Sequence, residues 1–216
     1  MFLRSNGNIQ WGTKPFEIWL VIMLIQKIFN PRNILEFGSG RSTNFFAEYA
    51  YKTNKKFISI EQNKGFMNHV NKGLKISNLP QKFLHHVPIK NDWFDLVKIK
   101  NILGDISSFD LIMIDAPGGV TNKSGSRGSI AGAGFISEFS SKDSIIIIDD
   151  SHREDVYKTI PLISKNHKIC TIKYLVNKQS NSNSISFLLP LSFEDSFDKI
   201  LGLALADSRV CSITKE

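Results

Sequence analysis

Five short apolar runs without polar alternation, four of them followed by a segment of helical character, constrain this chain more than any other feature. They are Asn33–Phe37 before Ser42–Tyr51, Lys56–Ile60 before Lys64–Leu74, Phe83–Val87, Leu111–Ile114 before Ser129–Phe139, and Ser144–Ile148 before Arg153–Ser164. A strand reads as continuously apolar when both of its faces are covered, and helical crossovers between such strands make a parallel sheet. The fold class is therefore α/β and doubly wound. After the fifth run the order changes: Ile169–Val176 and Ser184–Leu189 are joined by the polar segment Asn177–Asn183 with no helix between them. That predicts an antiparallel hairpin at the sheet edge and a mostly parallel, seven-stranded sheet. Pro15 suits a first helical position, and the apolar run behind it predicts a buried helix ending near Asn30-Pro31. Ser192–Ala206 adds a terminal helix. The expected organisation is one domain over residues 1–216, with a helical segment at 1–31, a core at 33–189 and an extension at 192–216.

Composition narrows the class. With 42% hydrophobic and 22% charged residues in 216, the chain can bury a full core, which excludes disordered and fibrous classes. Cys170 and Cys211 are too few and too far apart for a disulfide framework or a cysteine zinc site. The apolar stretch Ile18–Ile25 is shorter than the roughly 20 residues of a membrane span, so a cytoplasmic protein without a membrane partner is expected. Net charge is +7, from 27 Lys and Arg against 20 Asp and Glu. The lysines, Lys52, Lys55, Lys56, Lys64, Lys72, Lys75 and Lys82 among them, are scattered without a basic run, which favours a solvated surface over a nucleic-acid groove. Gly118–Gly134 carries six glycines and is expected to form one mobile loop.

The first strand runs directly into Gly38-Ser39-Gly40-Arg41-Ser42-Thr43, where Ser42 or Thr43 can cap the next helix. Two glycines let backbone N–H groups approach a ligand, and a helix N-terminus favours negative charge. Glu36 at the strand end is a poor neighbour for a pyrophosphate but a good one for a cationic ligand. Thr43 stands where a dinucleotide fingerprint has its third glycine. Glu61, one βαβ spacing later, can accept from both hydroxyls of a ribose. In an open α/β sheet the ligand crevice lies at the carboxyl ends of the strands, so Glu36, Glu61, Asp115 and Asp149 should converge there.

Ile34-Leu35-Glu36-Phe37-Gly38-Ser39-Gly40 resembles the first motif of class I S-adenosylmethionine-dependent methyltransferases. The resemblance covers roughly Asn33 to Leu189 and implies a Rossmann-like methyltransferase fold, whose sheet ends in such a hairpin. It implies S-adenosylmethionine as cofactor, with Glu36, Gly38, Gly40 and Glu61 as binding positions and Ser39, Ser42, Thr43 and Asp115 beside them. Where the family often places an adenine-binding acid, this chain has His85-His86-Val87-Pro88 and Asn91-Asp92-Trp93, so Trp93 or Phe94 is a candidate for stacking on adenine, or for core.

Acceptor chemistry is expected after the fourth and fifth strands, in Asp115-Ala116-Pro117-Gly118 and Asp149-Asp150-Ser151-His152-Arg153-Glu154. An alcohol needs a base such as His152, or a divalent cation that lowers its pKa. Asp115, Asp149 and Asp150 offer the hard oxygens that Mg²⁺ or Mn²⁺ prefers. These segments resemble two groups within the class. Catechol-type O-methyltransferases bind Mg²⁺ through acids placed like Asp115 and Asp149-Asp150. Glucuronoxylan 4-O-methyltransferase-like proteins pair an Asp-x-Pro with a Gly-Arg loop, here Gly125-Ser126-Arg127-Gly128-Ser129. Asp149 and Asp150 could alternatively cap the helix near Arg153, and Arg127 could grip an anionic acceptor. The reading is O-methylation of a small-molecule or carbohydrate hydroxyl with Asp115, Asp150 and His152 handling the proton or a metal. An RNA methyltransferase and a catalytically silent nucleotide-binding scaffold are the alternatives.

Overall fold

Pro15 precedes α1 (Phe16–Phe29), which stops where Asn30 turns left-handed at φ 54° ahead of Pro31. The computed structural model describes residues 14–118, 126–164, 166–175, 182–204 and 210–215. From there strands and helices alternate: β1 (Asn33–Phe37), α2 (Arg41–Thr53), β2 (Lys56–Glu61), α3 (Lys64–Ile76) and β3 (Leu84–His86). A small hairpin follows, β4 (Ile89–Lys90) with β5 (Trp93–Phe94), and then α4 (Leu96–Leu103). The second half holds β6 (Leu111–Ile114), α5 (Ile130–Phe139), β7 (Ile145–Asp149), α6 (Glu154–Tyr157) and α7 (Ile160–Ile163). It closes with β8 (His167–Leu175), β9 (Ser182–Pro190), α8 (Glu194–Ala204) and β10 (Val210–Lys215).

The main sheet has the order β10-β8-β9-β7-β6-β1-β2-β3. Pairings from β3 through β7 are parallel, and those involving β9 and β10 are antiparallel. The expected doubly wound, mostly parallel sheet with its hairpin is present. The hairpin's second arm, β9, lies against β7, and the sheet has eight strands where seven were expected, because β10 adds to the outer edge of β8. The order of connection reverses at β1, between β2 and β6, which is where an open α/β sheet leaves a crevice at its strand ends.

The absence of alternation is explained by burial on both faces. Ile34, Phe57, Leu111, Met113, Ile145 and Ile147 pack with α1, α2 and α8 on one side. Leu35, Ile58, Ile60, Ile112, Ile114, Ile146 and Ile148 pack with α4, α5 and α7 on the other. Ile146 and Ile147 are both fully buried, so truncating either to Ala should cost about 2–5 kcal/mol.

One expectation is corrected and two others are narrowed. The helix expected over Arg153–Ser164 is two single turns, because Pro161 has no N–H to bond Tyr157 and its ring opposes that carbonyl. Of the expected mobile loop Gly118–Gly134, residues 119–125 lie outside the described residues, and Ile130 onward is helix. Gly132 serves packing, since a Cβ there would stand 2.7 Å from the Trp93 indole. Trp93 and Phe94 are core, each 1% exposed and each 5.4 Å from the Phe37 ring, so neither presents a face to adenine. The helix α4 is not announced by the apolar runs that mark the other elements; Asp95 caps it, accepting from Val97 N at 3.1 Å.

Candidate cofactor turn and acceptor edge

The turn after β1 is set by contacts on both sides of the crevice. Gly38 N donates to Ile60 O of β2 at 2.9 Å, and Asp115 N donates to Phe37 O at 2.7 Å. Gly38 has φ 94°, and a Cβ there would lie 2.8 Å from both Ala116 Cβ and Asp115 C. This glycine is required by the approach of β1 to the end of β6. Gly40 differs: its φ of 174° is extended, and nothing lies within 4 Å of where its Cβ would stand.

Ser39 donates both its backbone N–H and its hydroxyl to Glu61 Oε2, each at 3.0 Å, while Asn63 N donates to Oε1 at 2.7 Å. The Glu61 carboxylate is thereby fixed across the turn. A second chain runs behind it. Gly40 N donates to Thr43 Oγ1 at 2.7 Å, Thr43 Oγ1 donates to Glu36 Oε2 at 2.7 Å, and Ser59 Oγ donates to the same oxygen at 2.6 Å. The Thr43 hydroxyl reaching back to the helix's first N–H is half of a capping box, which Gly40 has no side chain to complete. Glu36 is fully buried, and its Oε1 has no hydrogen-bond partner among the described residues. Burial pushes Glu36 up to about 7, against the hydroxyls of Ser42, Ser59 and Thr43 that favour its charge.

The acceptor edge is an ionic cluster of which the sequence displays only the acidic half. Lys14 Nζ lies 3.0 Å from Asp115 Oδ2 and 2.8 Å from Asp149 Oδ2. Its side chain is 5% exposed, and the ammonium sits 5.3 Å from the Trp19 ring centroid. Arg127 pairs with Asp115 Oδ1 at 2.9 Å and with Asp150, and donates to the Asp115 carbonyl at 2.6 Å. Tyr174 OH donates to Asp149 Oδ1 at 3.4 Å. Three carboxylates thus face two buried cations. Burial and Asp149 push Asp115 up to about 7 against Lys14 and Arg127. Burial is the largest influence on Asp149 and opposes its charge, but Lys14, a hydrogen bond with Asp115 and Arg127 together outweigh it and hold Asp149 down at about 2. Asp115 therefore holds a proton more readily than Asp149 does.

The sequence-derived site residues therefore separate into groups. Glu36, Gly38, Ser39, Gly40, Ser42, Thr43 and Glu61 are brought together at the turn, and Asp115, Asp149 and Asp150 at the adjoining edge. Neither Asp149 nor Asp150 caps α6, whose N-cap is Arg153; Asp150, left-handed at φ 54°, accepts from Arg153 N only through its backbone. The Arg127 fork is committed to the protein's own acids and does not project toward an anionic acceptor. The aspartates are not arranged as a metal-ligand set, since each carboxylate is bonded to Lys14 or Arg127; among the described residues no group of His, Cys, Asp or Glu could hold a metal ion. His152 lies exposed at the rim, its Nδ1 accepting from Ser184 N at 3.2 Å. In that state its proton is on Nε2, which makes it a donor there. Sequence reasoning missed Lys14 and Tyr174. Lys14 meets Asp115 from 101 residues away, and nothing local marks it.

No protein-family model matches this sequence, and no curated protein matches it. Solved structures do match. The O-methyltransferase TomG from Streptomyces achromogenes, in complex with SAM, matches with a TM-score of 0.58 at 14% identity, over 83% of this chain and 82% of its own. The SAH-bound methyltransferase PaMTH1 from Podospora anserina gives 0.54 at 14% identity, over 83% and 79%. Spermidine synthase, in complex with a transition state analogue, gives 0.54 at 14% identity, over 89% and 72%. The chain is similar to them in fold, and that fold is the Rossmann-like one of the methyltransferases.

Proposed function

We propose that the chain is an S-adenosylmethionine-dependent methyltransferase acting on a hydroxyl of a small molecule or a glycan. The carrying observation is the fixed Glu61 carboxylate, wired to the Gly38–Gly40 turn at the reversal point of the sheet. Two further features fit an adenosine ligand with a cationic tail: the open side of Gly40 and the unpartnered buried oxygen of Glu36. TomG, similar in fold, is an O-methyltransferase solved with SAM.

In this reading Glu61 holds the ribose, Oε1 keeping a lone pair beside its bond from Asn63 N and the Ser39 hydroxyl giving way on Oε2. The backbone of the turn and the N-terminus of α2 receive the amino-acid end, with Glu36 behind them as the negative charge. When bound, the cofactor supplies a methyl group already activated as an electrophile on sulfonium. What remains for the protein is alignment of the acceptor and removal of its proton. Asp115 is suited to taking that proton, because it stands at the crevice edge, 25% exposed on its side chain, with an affinity for protons near neutrality. Lys14 and Arg127 fix its two oxygens in place. His152 is better suited to donate to the acceptor from the rim than to take its proton. The carboxylates, each bonded to Lys14 or Arg127, do not fit a divalent cation.

Part of the positive charge lies away from the crevice. Lys52 and Lys75 lie in the last turns of α2 and α3, and Lys56 opens β2, so they stand at the end of the sheet opposite the crevice. The test is transfer of a labelled methyl group from S-adenosylmethionine to fractionated oligosaccharides, small alcohols and phenols, and RNA. An alkali-stable labelled ether in a non-RNA pool, lost in Asp115→Asn, is expected. Label confined to RNA, or absent from every pool, overturns the reading.

A further inference from the structure

A buried ammonium is a costly way to anchor the start of a helix, since hydrocarbon of similar size would hold it as well or better. What Lys14 does that hydrocarbon cannot is place a positive charge between the acids ending β6 and β7. Its Nζ is within hydrogen-bond distance of both, at 3.0 and 2.8 Å, and the Trp19 face closes over it. Arg127 completes the arrangement on the other oxygen of Asp115 and on Asp150. These are the residues whose types and order in the sequence suggested Mg²⁺ or Mn²⁺.

We infer that Lys14 is the resident cation of the Asp115–Asp149 pair, standing where a divalent metal would otherwise bind, and that it positions Asp115 at the crevice without metal. The ammonium bridges one oxygen from each acid, as a metal ion would, but at hydrogen-bond rather than coordination distance. It holds the ends of β6 and β7 in register and keeps positive charge beside the place where an acceptor oxygen would lose its proton. The first described residues are thereby part of the site: the chain entering α1 delivers this charge to acids more than a hundred residues away. This role of Lys14 concerns the protein's own charges and stands or falls separately from methyl transfer.

Two consequences can be measured on the intact chain without any acceptor. Wild-type protein titrated with Mn²⁺ and followed by electron paramagnetic resonance should show no saturable site that depends on Asp149. Lys14→Met uncovers two adjacent carboxylates, and should gain one Mn²⁺ site, bound on the order of tenfold or more tighter than by the wild type. The same variant should melt at lower temperature than the wild type and recover on adding Mn²⁺, whereas Asp149→Asn in the Lys14→Met background should neither bind nor recover. Lys14→Arg, which keeps the charge, should gain no site. A wild-type Mn²⁺ site abolished by Asp149→Asn overturns the inference. So does a folded Lys14→Met that gains no site, or a Lys14→Met that stays unfolded at saturating Mn²⁺.

Discussion

Ser39 gives both its backbone N–H and its hydroxyl to one oxygen of Glu61, each at 3.0 Å, and so fastens the turn after β1 to the end of β2. The bond pair fixes the carboxylate before any ligand arrives. Preorganisation of this kind lowers the ordering cost of binding. It also means that the turn and the acid at the next strand end form one unit.

The two glycines of the turn should respond oppositely to substitution. Gly38→Ala places a Cβ at φ 94° and 2.8 Å from Asp115 and Ala116, so it should destabilise by about 1–3 kcal/mol and lower the melting temperature by roughly 2–12 °C. Gly40→Ala, with an extended φ and open space, should melt within about 2 °C of the wild type. It should nevertheless weaken S-adenosylhomocysteine binding by about tenfold or more, because the added methyl projects into the space assigned to the ligand. Paired thermal melts and calorimetric titrations check both.

Burial raises Glu36 from an ordinary 4.5 to about 7. In that window the folded state holds a proton that the unfolded state has released, so stability should fall as pH rises from about 4.5 to about 7 and level off above. The loss should be on the order of 3 kcal/mol. Glu36→Gln, which cannot ionise, should flatten this part of the profile and be more stable than the wild type at pH about 8. Chemical denaturation across the pH range measures it. A cationic ligand should also drive a proton off the wild-type residue on binding near pH about 6.5, visible as a buffer-dependent enthalpy that Glu36→Gln loses.

Asp115 must be ionised to accept a proton. With its affinity raised to about 7 by burial and Asp149, kcat should climb with pH up to that value and then plateau. Asp115→Asn should lower kcat by about 10²–10⁴-fold and remove the ascending limb, while leaving S-adenosylhomocysteine affinity within about threefold. A kcat profile unchanged by the substitution would move the proton elsewhere.

Much of this was legible because it is local. Apolar runs such as Ile145–Ile148 announce strands covered on both faces, and the glycines beside Glu36 announce the turn. Glu61 could be placed because a strand end is a local property and the βαβ spacing is regular. The rest depends on contacts that sequence proximity does not encode. Lys14 and Tyr174 reach the acids from opposite ends of the chain. Gly132 has the look of loop flexibility in the sequence, whereas in the fold the Trp93 indole fills its side. The strand β10 is six residues long, and those from Ser212 to Lys215 are exposed, so it lacked the apolar signature that marked the inner strands. Asp115, Asp149 and Asp150 looked like metal ligands since the sequence shows acids without showing which cations neutralise them.

Binding of an adenosine ligand in the crevice through Glu61 is the central claim, and isothermal titration of wild-type and Glu61→Ala protein with S-adenosylhomocysteine tests it directly. Saturable binding near one equivalent is expected for the wild type. Glu61→Ala should weaken it by about 10–100-fold, the loss of charge-assisted bonds worth roughly 1.5–3 kcal/mol. No binding to the folded wild type at millimolar ligand, or equal binding by the two proteins, would contradict it.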